Sequence, residues 1–295
     1  MANTHRIRTA VVPAAGSGTR MLPATKAVPK ELLPIVERPA IQFIVDEVMG
    51  AGVEHLVIVT SRTKPAIQDY FTPSPDVEAA LERQGRDHLA EQLRRVGRDL
   101  RVSFVYQEAP LGLGHAVGCA RPAVGDEPFF VLLPDELMAD ASLLVDMADL
   151  HAATDRGVVA LKAMERRHLS RYGIVTPVGE RRRSGAGTAL PIAGIVEKPD
   201  VEAAPSDLAI IGRYALTADI FEILADLRPS PSGEIQLTDA LNVQADRHPL
   251  TGFVSEVGRW DIGHPRGWLE AVITFGLADP DVGDSLREWL ADALQ

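Results

Sequence analysis

Apolar residues follow two different rhythms along this chain. Residues 9–13, Thr-Ala-Val-Val-Pro, form a short unbroken apolar run that passes directly into Ala14-Ala15-Gly16-Ser17-Gly18-Thr19-Arg20, which predicts a buried strand feeding a glycine loop. From Pro39 onward, Ile41, Ile44, Val45, Val48 and Met49 recur at helical spacing, with Pro39 suited to the first turn and Gly52 to the stop. Leu56-Val-Ile-Val59 returns to an unalternating run, as a strand covered on both faces does. The opening is therefore a βαβ unit. Further strands are expected over 102–107, 129–133, 158–164, 192–197 and 208–216, with helices between several of them. That alternation predicts an α/β fold with a doubly wound, Rossmann-like, mixed and mainly parallel sheet flanked by helices.

No repeat, low-complexity linker or compositional break divides the chain, so a single domain over 1–295 is expected. Within it, Leu81, Leu89, Leu93 and Val96 sit near helical spacing in the charged stretch 75–100, which reads as a helical surface excursion weakened at Gly85. Residues 280–295 read as a C-terminal helical tail. Arg181-Arg182-Arg183, followed by Ser-Gly-Ala-Gly, reads as a solvated loop between two strands and carries no functional assignment.

Composition narrows the partners. With 46% hydrophobic residues over 295 positions, the chain can bury a continuous core. Acids exceed bases by 41 to 30, a net charge of -11, which argues against nucleic acid and anionic membranes as partners. A small polyanion would need a local basic pocket, and the lysines available to build one are only Lys26, Lys30, Lys64, Lys162 and Lys198. The single Cys119 cannot form an internal disulfide, and residues 1–20 lack the pattern of a secretion signal, so a cytoplasmic setting is expected. No run approaches the roughly 18 apolar residues that a membrane helix needs.

The glycine loop lets backbone N–H groups approach a phosphate or a base edge closely, but alone it is a weak signal. Met21 stands where a dinucleotide fingerprint needs its third glycine, and no Gly-Lys-Ser/Thr follows as in a P-loop. Instead Arg20, Lys26 and Lys30 follow within ten residues. Each alone reads as a solvated surface charge; clustered after a strand end, where open α/β sheets bind ligands, they fit a triphosphate site. Asp135 ends the apolar run Phe129-Phe-Val-Leu-Leu-Pro134, so its carboxylate is expected at the same sheet edge, where it could hold a hard cation. Glu136 reads as a supporting or solvated acid. Gln107 could be a polar strand cap, and its carboxamide carries both a donor and an acceptor. Glu197 and Lys198 should leave opposite faces of a strand unless it ends there, which Pro199 suggests; a surface ion pair is the plain alternative.

The segment Pro13-Ala-Ala-Gly-Ser-Gly-Thr-Arg-Met-Leu-Pro-Ala-Thr-Lys-Ala-Val-Pro-Lys-Glu-Leu-Leu-Pro34 resembles the signature of bacterial UTP–glucose-1-phosphate uridylyltransferases, members of the sugar nucleotidyltransferases. The resemblance continues through Gln107 and Pro110-Leu-Gly-Leu-Gly-His-Ala-Val117, Leu133-Pro-Asp135, Tyr172-Gly173, Val196-Glu-Lys-Pro199, Ile211-Gly-Arg-Tyr214, Gly233-Glu-Ile-Gln-Leu-Thr-Asp239 and Trp260-Asp-Ile-Gly263. It implies that Ala14, Ala15 and Gly16 meet the uracil and ribose end of the nucleotide, Gln107 the uracil edge, and Gly112 and Gly114 the wall beside the base. It implies further that Asp135 and Asp261 hold Mg²⁺, that the Gly173 backbone faces the sugar, Glu197 accepts from the glucose hydroxyls and Lys198 contacts the sugar phosphate, and that Arg20, Lys26 and Lys198 stabilise the charge of the reacting phosphates. Ser17 departs from the larger apolar residue of many relatives, and Trp260 from a common tyrosine.

The activity so implied joins UTP and glucose-1-phosphate into UDP-glucose with release of pyrophosphate, in a homodimer or homotetramer. Three alternatives remain open at this point. One is a Rossmann oxidoreductase, supported only by the βαβ opening and the glycine loop. Another is a related transferase using dTTP, CTP or another sugar. The third is a non-catalytic regulatory paralogue.

Overall fold

A computed structural model describes residues 6–294 apart from position 232. In chain order its strands are β1 (Thr9–Pro13), β2 (Pro34–Ile35), β3 (Arg38–Pro39), β4 (His55–Thr60), β5 (Arg101–Tyr106), β6 (Phe129–Leu132), β7 (Glu136–Met138), β8 (Val158–Ala163), β9 (Gly173–Pro177), β10 (Arg182–Ser184), β11 (Gly187–Glu197), β12 (Leu208–Leu216), β13 (Leu250–Val254) and β14 (Arg259–Asp261). Ten of them form one sheet in the order β10-β11-β13-β8-β12-β6-β1-β4-β5, with β9 pairing against β11 and β12.

Parallel ladders join β6, β1, β4 and β5, and the chain runs outward from β1 through β4 to β5 before returning to β6 on the other side. β1 is thus the point where the winding direction reverses, and such points open a crevice at the strand carboxyl ends. On the far side β12 runs antiparallel to both β6 and β8, and β11 antiparallel to β13 and β9. The sheet is mixed, and its antiparallel share is larger than the strand and helix alternation suggests, because β9 to β12 succeed one another without an intervening helix.

The unalternating strands are buried on both faces: every residue of β4, β6 and β12 is buried. One face packs on the helix Ala40–Gly50 through Ile41, Ile44, Val45 and Val48, and the other on the helices Leu113–Cys119, Ile220–Asp226 and Leu237–Arg247. Pro39 caps the first of these helices from outside rather than occupying its first turn. The excursion at 75–100 is two helices, Pro75–Arg83 and Asp87–Arg95, broken where Gly85 takes a φ of 70°. The three arginines expected in a loop are partly strand: Arg182–Ser184 pairs antiparallel with β11. The tail contains the helix Gly283–Ala293. Among the described residues no helix is long and apolar enough to cross a membrane.

Candidate active site

Three parallel strands end side by side and set out one wall of the crevice. Past β1, the Ala14 N–H donates to Val59 O at 2.7 Å, and past β5 the Gln107 N–H donates to Thr60 O at 2.8 Å, so both segments hang from the end of β4. Ala14 is fully committed, because its carbonyl accepts from Lys64 Nζ at 2.8 Å. The N–H groups of Ala15 and Gly16 have no partner among the described residues, and nothing lies within 4 Å of where a Gly16 side chain would begin. Of the three loop residues assigned to the nucleotide, the two free donors are therefore Ala15 and Gly16. Gln107 is buried and its Nε2 donates to Gly112 O at 3.1 Å and to His115 Nδ1 at 2.9 Å. The donor half of its carboxamide is thus occupied within the protein, and only Oε1 remains for a base.

Gly112 and Gly114 have a packing reason to be glycine. A Cβ on either would stand 2.8 Å from Ile235 O, and the Gly114 N–H donates to that same carbonyl at 2.8 Å. Both lie against the segment 234–236.

The charged centre forms where two distant segments zip together. β7 pairs antiparallel with β14, setting Glu136 opposite Asp261, and the Ile262 N–H donates to Asp135 O at 2.8 Å. This brings Asp135 and Asp261 to one place. Gly263 measures the convergence: a Cβ there would be 2.9 Å from Asp135 Oδ2, 3.1 Å from Asp261 Oδ1 and 3.1 Å from Arg20 Nη2. Lys30 Nζ lies 2.6 Å from Asp135 Oδ2, and Arg20 Nη2 lies 3.4 Å from the same atom. Burial works to raise the Asp135 carboxyl, but the Lys30 ammonium, with Arg20, holds it below the usual carboxylate range. Lys30, counted in the basic cluster but given no role of its own from sequence, is the cation in closest contact with the acid. Lys26 is exposed and its ammonium bonds to no described residue.

On the opposite flank, β9 and β11 pair Gly173 with Glu197 in register. A Cβ on Gly173 would stand 3.2 Å from Glu197 Oε2, which accepts from Thr238 Oγ1 at 2.7 Å. Lys198 takes a φ of 44°, turning it out of the strand so that its Nζ reaches Glu197 Oε1 at 2.8 Å. The two side chains therefore share one face, contrary to strand alternation. The Lys198 N–H donates to Tyr172 O at 3.1 Å. The Tyr172 hydroxyl donates to Asp261 Oδ2 at 3.2 Å, beside Arg171 Nη2 at 3.1 Å. The Glu197–Lys198 turn is thus tied through Tyr172 to the charged centre.

A glycine-loop cradle, paired acids and a basic cluster at one sheet edge are the parts of a site for phosphate-bearing substrates. The family model described as Nucleotidyl transferase matches residues 9–275. The chain belongs to the nucleotidyl transferase family. It is 39% identical to the UTP–glucose-1-phosphate uridylyltransferase of Bacillus subtilis (strain 168), over 98% of each chain. Its structure is similar to the UTP-bound UGPase from Acinetobacter baumannii, with a TM-score of 0.89 and 36% identity over 97% of this chain and 99% of that one. A UDP-glucose pyrophosphorylase complexed with UDP-glucose matches with a TM-score of 0.81 and 39% identity, over 91% and 98%. Membership sets aside the oxidoreductase reading.

Within this nucleotidyl transferase, buried ion pairs that sequence reasoning missed brace the site. Arg213, wholly buried, donates to both Glu47 carboxylate oxygens at 2.9 and 2.7 Å. It also donates to the Leu133 and Glu136 carbonyls on either side of Asp135, at 3.0 and 2.6 Å. Glu136 is buried and held bidentately by Arg259 at 2.6 and 2.5 Å, so it is neither solvated nor free. Burial pushes its carboxyl up to about 7 against the pull of Arg259. Glu31 and Lys64 form a third pair beneath the glycine loop, with Nζ to Oε2 at 3.0 Å. The one sequence signal for Arg213 is a charged residue within the apolar run 208–216, where an unpaired charge would be too costly to bury.

Proposed function

We propose that this nucleotidyl transferase transfers the uridylyl group of UTP to glucose-1-phosphate, giving UDP-glucose and pyrophosphate. The observation that carries the reading is the near-full-length similarity to a relative named for that reaction. The meeting of Arg20, Asp135, Asp261 and Gly263 at the edge of the nucleotide strands supports it. A phosphate oxygen of glucose-1-phosphate attacks the α-phosphorus of UTP in line; the new P–O bond forms as the bond to the β-phosphate oxygen breaks, and pyrophosphate departs with the electron pair. The nucleophile is already ionised at neutral pH, so no general base is needed. Catalysis rests on positioning and on charge stabilisation by Arg20, Lys26 and Lys198. Ala15 and Gly16 offer backbone donors to the nucleotide, Gln107 offers Oε1 to the base, and Gly173 and Glu197 line the sugar side.

Asp135 and Asp261 would hold Mg²⁺. The fit rests on the donors themselves: both are carboxylates, and both face a cradle that a Cβ at Gly263 would fill. Among the described residues no set of three or more His, Cys, Asp or Glu gathers as metal ligands, which suits an ion whose remaining ligands are substrate phosphates and water. When bound, the ion supplies neutralising charge to the phosphates. A cytoplasmic setting and a homodimer or homotetramer belong to the same reading.

The test is pyrophosphate release from purified protein with glucose-1-phosphate and Mg²⁺, comparing UTP, dTTP, CTP, ATP and GTP with and without EDTA. Release with UTP, abolished by EDTA, is expected. Preference for another nucleotide would overturn the substrate, and no release with any nucleotide would overturn the activity.

A further inference from the structure

We propose that His115 fixes which atom of the Gln107 carboxamide faces the nucleobase, and so makes the site selective for pyrimidines that carry a proton on N3. The inference rests on the proposed role of Gln107 at the base.

Chemistry alone identifies the amide atoms. Gly112 O can only accept a hydrogen bond, so the Gln107 atom 3.1 Å from it is the nitrogen. The same nitrogen is 2.9 Å from His115 Nδ1, which must therefore be the unprotonated, accepting nitrogen, leaving the ring proton on Nε2. Both N–H groups of the carboxamide are then spent. Oε1 receives no hydrogen bond from any described residue, and it is not among the sealed polar atoms. A flipped amide would set its oxygen against the Gly112 carbonyl and would require the ring proton of His115 to move to Nδ1, so the carbonyl and the Nε2-protonated ring hold the observed orientation together.

Both acceptors are fixed by the local fold. Gly112 caps the helix Leu113–Cys119 with a φ of 96°, a conformation suited to glycine, and is pressed against Ile235 O. His115 lies in the first turn of that helix, and Cys119 one turn on stands 3.9 Å from both ring nitrogens.

The exposed acceptor matches a base that donates from N3. Uracil and thymine have that N–H, whereas cytosine presents a lone pair there, which Oε1 would repel. His115 touches neither substrate nor reacting atoms in this account; it is a positioning residue that acts through Gln107. If it served only to pack the start of its helix, its loss would depress all nucleotides alike.

The experiment measures kcat/KM with UTP, dTTP and CTP, with CTP also read as a competitive inhibitor, in the wild type and in His115→Ala, His115→Asn and Gln107→Leu. His115→Ala is expected to lower the UTP-to-CTP preference about five- to tenfold, the worth of one hydrogen bond, while leaving the dTTP-to-UTP ratio within about twofold. His115→Asn places an accepting Oδ1 where Nδ1 stood and is expected to restore the preference. An equal loss with all three nucleotides, or failure of the Asn variant to restore selectivity lost in the Ala variant, overturns the proposal. So does an unchanged ratio in His115→Ala when Gln107→Leu abolishes the preference, and that result leaves the reading of Gln107 standing. Wild-type preference in Gln107→Leu removes the base-reading role itself, and this proposal with it.

Discussion

Replacing Gly263 with alanine tests the charged centre most directly, because the added methyl enters the point where three groups converge. The Gly263 backbone is not in the left-handed region, so alanine is tolerated there without backbone strain. The new carbon would lie 2.9 Å from Asp135 Oδ2 and 3.1 Å from both Asp261 Oδ1 and Arg20 Nη2, where ordinary contact begins at 3.4 Å. Each group must retreat by a few tenths of an ångström. Asp135 cannot do so freely, since Lys30 holds its side chain at 2.6 Å and Ile262 its carbonyl at 2.8 Å. Misplacing a reactive centre by about 1 Å costs roughly 10²-fold, so smaller shifts of three groups together should lower kcat by about 10- to 100-fold. That is about 1.4–2.7 kcal/mol of transition-state stabilisation. Folding stability should change by less than the catalytic effect, because the roughly 0.4–1 kcal/mol that alanine adds at a compatible backbone offsets part of the cost of displacing these side chains. Steady-state pyrophosphate release with each substrate varied, beside a thermal melt, separates the two effects. Wild-type kcat in the variant, or an activity loss matched by an equally large loss of Tm, would refute the convergence of these groups at the reacting phosphates.

Three further substitutions probe separate parts of the molecule. Lys26→Ala should lower kcat by about 10²- to 10³-fold while stability changes by no more than about 0.5 kcal/mol, because the ammonium is exposed and bonded to nothing described; wild-type turnover would remove its role. Arg213→Met leaves Glu47 buried without its partner and should cost about 3–5 kcal/mol, read as a lower urea midpoint, and adding Glu47→Leu should recover much of the loss. A loss below about 1 kcal/mol in the single variant would show that the pair does not brace the fold. Glu197→Gln should raise the KM for glucose-1-phosphate about tenfold with the KM for UTP unchanged, and the opposite pattern would move this residue to the nucleotide side.

The glycine-loop half of the crevice was legible in the chain because its strands are unalternating apolar runs, and such runs end where the sheet meets solvent. Asp135 after Phe129–Leu132 and the loop after Thr9–Pro13 follow directly from that rule. What escaped depends on contacts distant in sequence or on single dihedral angles. Nothing near Asp135 announces that Lys30 lies against it, 105 positions earlier. The pairing of Glu197 with Lys198 turns on one positive φ at a non-glycine residue, which alternation forbids and only the surrounding fold imposes. Gly112 and Gly114 suggest close approach by a ligand, yet the approaching group includes the chain's own Ile235 carbonyl. Sequence does not show that the donors of Gln107 are taken, because His115, eight residues on, becomes its partner only once the helix has formed.

β12 has a consequence for how such an enzyme could change its substrates. It bonds to β6 and, farther along the same edge, to β9, and to β8 along the other edge, so a single strand carries both halves. The groups around the glycine loop depend on β1, β4 and β5, while Glu197 and Gly173 depend on β9 and β11, and these two sets share no ladder. A lineage could remodel the side of the crevice built on the outer strands while the glycine-loop side stayed as it was, with the spacing between the two preserved by the common rail.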